Sequence, residues 1–113
     1  MYLIILHLNE RKIDMYKEMI GKKVIIRSEK AGVFYGTLKA KEGNEVVITR
    51  CRRIWYWDGA CSLSQVAVDG VSRPENCKFS VYVDEMGILG VVEIIPCTDK
   101  AIESIEGVYE WKL

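Results

Sequence analysis

Apolar and polar positions alternate with a period of two along most of the chain beyond Gly21, and switch to helical spacing in only two places. Lys23, Val24, Ile25, Ile26, Arg27 and Ser28 form a β-branched run, closed by turn-like residues at 29–32. A second strand is predicted over 33–39, with Gly36 inside it marking a bulge or sharp bend. Lys41, Glu42, Gly43 and Asn44 read as a hairpin, and a returning strand over 45–50 runs on through 51–57. Helical spacing first appears at Leu63, Val66 and Ala67, with Asp58 or Ser62 as N-cap and Gly70 at the end. Residues 71–78, with Pro74 and Asn76, read as a loop. Two more strands are expected over 79–83 and 88–95, joined by a turn at 84–87, and Pro96 stops the second. Thr98 caps a helix over 99–105 that turns Ala101, Ile102 and Ile105 inward, and residues 108–111 dock as a final strand. The sum is a mainly β chain of the α+β class: a small curled barrel of about five strands, an inserted short helix and a C-terminal helix.

Residues 1–18 stand apart as an N-terminal appendage, leaving 19–113 as the one domain. Within the appendage, either residues 2–8 pair as a strand or residues 9–20 coil as a helix. A chain of 113 residues holds one core. Its longest apolar stretch, residues 2–6, is far shorter than the ~20 residues of a bilayer span, so no membrane partner is expected.

Composition narrows the chemistry. The four cysteines, Cys51, Cys61, Cys77 and Cys97, are widely spaced, with no C-x-x-C pair and no histidine nearby. No metal site is therefore expected, and the thiols read as small apolar residues of a reducing compartment. His7, the single histidine, has no evident partner, so Ser62 and Ser64 lack a base for nucleophilic catalysis. No phosphate-binding glycine loop is present. A binding protein with no cofactor is expected, not an enzyme. Lys+Arg 16 balance Asp+Glu 16, yet residues 22–53 hold nine basic and three acidic side chains, and residues 79–113 two basic and seven acidic. That asymmetry suits pairing of the two halves, within a chain or between copies, or a basic face for phosphate groups.

The densest chemistry lies at 52–65. On a strand, Arg53, Trp55 and Trp57 share one face and Arg52, Ile54 and Tyr56 the other. Indoles stack on bases and guanidinium groups hold phosphate. Downstream, the amides near Gly59 and Ala60 precede the expected helix, where the dipole favours an anion, and Ser62, Ser64 and Gln65 add polar groups. These residues, Ile54 excepted, are the ten of the candidate ligand site. The competing reading makes the aromatics core, the arginines solvated or paired with the acidic C-terminal region, and the serines helix cap and surface.

Two resemblances sharpen the expectation. Gly21 to Arg27, the glycine-bearing strand with Gly36, Thr37 and Leu38, and the return over 43–49 resemble the first motif of Sm-like and SH3-like small barrels. The insertion at 57–78 departs from the short turn that Sm proteins carry there. The string Arg52, Arg53, Ile54, Trp55, Tyr56, Trp57, with Asn76 to Phe79 and Glu93 to Thr98, resembles a family of small tailed-phage and prophage proteins of unknown function. That likeness implies a phage protein acting in the host cytoplasm. The expected function is anti-defence: a sponge sequestering a nucleotide second messenger, such as a cyclic dinucleotide or an ADP-ribose derivative. The alternatives are a Sm-like ring binding single-stranded RNA or DNA, and an inhibitor of a host defence enzyme. A homo-oligomer is expected under each.

Overall fold

The β-branched run becomes β1 (Lys23–Ser28), followed by β2 (Gly32–Glu42) and β3 (Glu45–Tyr56) in an antiparallel meander. Helix α1 (Leu63–Asp69) and a 3-10 turn at Pro74–Asn76 lead to β4 (Lys78–Phe79), β5 (Val83–Ile88), β6 (Val91–Pro96) and helix α2 (Asp99–Glu106). The computed structural model describes residues 14–113. The strand expected over 2–8 lies outside the described residues, as does the start of the alternative helix over 9–20. The described part of that helix holds a single 3-10 turn, Lys17–Met19.

The sheet runs in the order β4-β3-β2-β1-β6, and β5 pairs with the first half of β3 from Val46 opposite Ile88 to Cys51 opposite Val83. The sheet curls but stays open. Beta5 and β6 lie at opposite sides of the gap, each hydrogen-bonded to one neighbour and joined to the other by the turn at Leu89 and Gly90.

Beta1 reads as an unbroken apolar run because both of its faces are covered. Val24 and Ile26 join Phe34, Leu38, Ile48 and Ile88 inside the curl. Ile25 faces outward, where Tyr35, Ile54 and Phe79 meet Val66 and Ala67 of α1 and Ala101 and Ile105 of α2. The two helices are therefore the lid of a second core on the outer face. Their caps match the sequence: Ser62 Oγ accepts from Gln65 N at 3.2 Å and Thr98 Oγ1 from Ala101 N at 3.1 Å. Such caps each stabilise by about 1 kcal/mol.

Gly36 sits at the bend. Tyr35 opposes Arg52 and Thr37 opposes Thr49, so Arg50 and Cys51 together oppose Gly36 in a bulge. A Cβ on Gly36 would stand 2.7 Å from the Cys51 Cβ. Only glycine allows that approach.

Three expectations need correction. The turn predicted at 84–87 is strand β5; the reversal comes at Gly90, whose φ of +67° suits glycine. Asp84 and Glu85 imitate a turn because an edge strand turns polar side chains to solvent. The strand expected over 79–83 is split, Phe79 ending β4, the additional sixth strand, and Val83 opening β5, because the Arg53 amide donates to the Ser80 hydroxyl at 2.8 Å and not to a backbone carbonyl. Residues 108–111 form no strand, only a single parallel bridge between Phe79 and Glu110.

Candidate functional site

The candidate ligand residues do not gather in one hollow, because the two arginines part company. Arg52 is fully buried. Its Nε donates to Ser80 O at 3.0 Å, Nη1 to Val108 O at 2.9 Å and Ile105 O at 3.3 Å, and Nη2 to Tyr109 O at 3.1 Å and Phe79 O at 3.4 Å. Five donors meet five backbone carbonyls, so the group has no hydrogen left for a ligand. Carbonyls at the end of α2 carry the negative pole of the helix, which stabilises the charge without a carboxylate. Arg52 is a structural tie between β3, β4 and the C-terminal segment.

The helix start is also self-contained. The Cys61 amide donates to Gln65 Oε1 at 2.7 Å and the Gln65 amide to Ser62 Oγ, so these two donors are unavailable to an anion. Gly59, with φ of +91°, lies so close to the Ser72 and Arg73 amides that a Cβ would come within 2.6 Å of both. Ala60 and Trp57 pack against the outer core, and Trp57 Nε1 donates to Ala60 O at 3.3 Å. Ser64 is exposed on α1. Tyr56 is exposed and sits opposite Lys78, whose Nζ lies 5.4 Å from the Trp111 ring centre.

Arg53 and Trp55 remain together. The Arg53 guanidinium lies 4.5 Å from the centre of the buried Phe34 ring and 5.7 Å from that of Trp55, and Nη1 donates to Ala31 O. Trp55 is 64% exposed. The three form a layered ladder, buried ring, guanidinium, open indole, at the mouth of the curl. Beside it, Phe34 and Arg53 line a hollow of about 740 Å³ with Lys30, Met86, Ile88 and Leu89.

A second cleft, of about 690 Å³, opens on the outer face between β1, β2, β3, the start of β5 and the end of α2. Its Glu106 carboxylate accepts from Lys23 Nζ at 2.7 Å and from the Tyr35 hydroxyl at 2.6 Å. Burial pushes the Glu106 carboxyl up, but these two bonds, with the charges of Lys23 and Arg50, outweigh it and hold it below its ordinary value. Burial first, then the bond to Glu106, raises the Tyr35 hydroxyl and keeps it protonated. Arg50, Tyr82 and Asp84 are also in the lining. None of these three stood out in the sequence; only the in-strand Gly36 hinted that β3 would buckle opposite it.

Among the described residues, no cluster of three metal-ligating side chains occurs and no helix is long and apolar enough to cross a membrane. A family model described as a domain of unknown function, DUF6948, matches residues 21–105. The chain belongs to that family. No curated protein matches the DUF6948 chain in sequence. Among solved structures it is similar to a heptameric archaeal Sm protein, at 18% identity and a TM-score of 0.46 over 73% of this chain and 94% of that one. It is similar to the same degree to the P. aerophilum SmAP1 heptamer, over 73% of this chain and 86% of that one.

Proposed function

We propose that the protein is a non-enzymatic binder of single-stranded nucleic acid, working as an assembly of its own copies. The observation that carries this reading is Trp55, an indole 64% exposed and backed by the Arg53 guanidinium. An open indole on a rigid strand is a stacking platform worth about 1–3 kcal/mol per base. Arg53 and the neighbouring exposed Lys30 supply cations for the backbone phosphates. Free-nucleotide sequestration through the expected ten residues is less well supported, since Arg52, Ser62 and Gln65 direct their polar groups at the protein itself. Assembly draws support from the unpaired outer edges of β5 and β6, which can add to edges of neighbouring copies.

The test is fluorescence anisotropy with a labelled oligo(dT) at several salt concentrations. Affinity is expected to fall linearly in log–log form with salt. Trp55→Ala is expected to weaken binding by about 5- to 150-fold, the equivalent of one lost stack. Binding unaffected by that substitution, or none at low salt, refutes the reading.

A further inference from the structure

The outer-face cleft is a separate site on the opposite side of the sheet, since Phe34 faces the inner core and Tyr35 the outer. Arg50 has φ of +46° and is the one non-glycine with positive φ among the described residues. Such a backbone is strained for a residue with a Cβ, and bulges of this kind re-aim side chains. The ladder puts Arg50 across from Asp84, between the Thr49–Glu85 and Cys51–Val83 pairs. Opposite charges placed so would ordinarily pair, yet among the described residues neither forms an ion pair or a side-chain hydrogen bond with the other. Both line the cleft. Tyr82 lines it too, with the Arg52 guanidinium 4.6 Å from its ring centre. Lys23 and Tyr35 are already committed to Glu106, and Arg50 acts on that carboxylate through its charge without a hydrogen bond, so among the described residues the groups with open donors, acceptors or surface are the Arg50 guanidinium, the Asp84 carboxylate and the face of the Tyr82 ring away from Arg52.

We propose that this cleft binds a guanine base, stacked on Tyr82, with Arg50 donating to O6 and N7 and Asp84 accepting from N1–H and the 2-amino group. Guanine carries acceptors and donors side by side in the order these two charges require. Adenine presents an amino group where O6 would be and lacks both hydrogens that Asp84 needs. The mismatch is worth about 1–3 kcal/mol, or about 5- to 150-fold. The site stands or falls independently of the Trp55 platform.

Calorimetric titration of the full chain with GMP, AMP and UMP tests it. GMP is expected to bind saturably and at least about 5-fold tighter than AMP or UMP. Asp84→Asn is expected to erase that preference. Arg50→Gly removes the guanidinium while suiting the left-handed backbone, so its melting temperature should not fall while GMP binding is lost. Equal affinity for GMP and AMP, no binding of either, or wild-type GMP binding by folded Arg50→Gly overturns the assignment. Oligo(dT), which has no guanine, reads the Trp55 face alone, so failure there leaves the guanine result standing and the reverse also holds.

Discussion

At the scale of single residues, Arg52 and Arg53 show how adjacent identical side chains take unrelated roles. Strand alternation sends Arg53 to the mouth of the curl, beside Phe34, and Arg52 into the outer layer, where five carbonyls surround it. Their proximity in sequence signalled phosphate binding, and only one of the two is free to provide it. Lysine at position 52 has no planar fork to span its acceptors; Phe79 O and Ile105 O keep the amides of Trp111 and Val108, but each carbonyl it fails to reach among Ser80, Val108 and Tyr109 goes unpaired at about 1–3 kcal/mol. Arg52→Lys is therefore expected to lower unfolding free energy by at least about 2 kcal/mol, measured by urea denaturation. Arg52→Met, which has no donor, is expected to cost more. The aromatic string was legible as a strand. Which aromatic stayed open was not, because that depends on where the helices land: Trp57 packs against the outer core while Trp55 faces solvent.

The elements were read most reliably where local chemistry decides them. Ser62, Gly70 and Thr98 bound α1 and α2 through their own hydrogen bonds and backbone angles, so a few residues of sequence suffice. Beta5 was misread because its acidic residues face solvent from an edge, an outcome set by the whole sheet. The end of α2 carries a pH-dependent tie. Glu106 lies below its ordinary value in the fold, so the stability it contributes is present above the unfolded carboxyl value and lost as pH falls through the folded one. The melting temperature should therefore drop on acidification below about pH 4.5, and Glu106→Gln should flatten that drop. Tyr35 works in the other direction. Its raised hydroxyl value means stability declines above about pH 10, where the unfolded tyrosine ionises and the folded one does not. Differential scanning calorimetry across both limbs checks the signs.

For the molecule as a whole, the proposed assembly rests on the two edges that the open curl leaves. Beta6 offers one unpaired edge and the exposed Val92, and β5 another edge with the exposed Val83. Joining unlike edges is a head-to-tail contact, which yields a ring where the rotation closes. Native mass spectrometry is expected to show one discrete oligomer. Val92→Lys, which sets a charge on the edge without touching either core, is expected to shift the population towards monomer. A monomer in the wild-type chain at micromolar concentration would remove assembly from the proposal. Composition pointed to pairing of the oppositely charged halves, within a chain or between copies, or to a basic face for phosphate groups. Within one copy those charges already meet, as in Lys23 with Glu106, Arg27 with Glu93 and Lys39 with Glu85, so backbone edges are the stronger basis for contact between copies.

The encirclement of Arg52 also has a bearing on biosynthesis. Three of its five carbonyl partners belong to residues 53–57 positions further along the chain. While the ribosome is still making that stretch, the guanidinium has to stay hydrated, and the outer core beneath α1 has no seal. The inner meander can settle as it emerges, but the layer above it has to wait for α2 and the residues that follow.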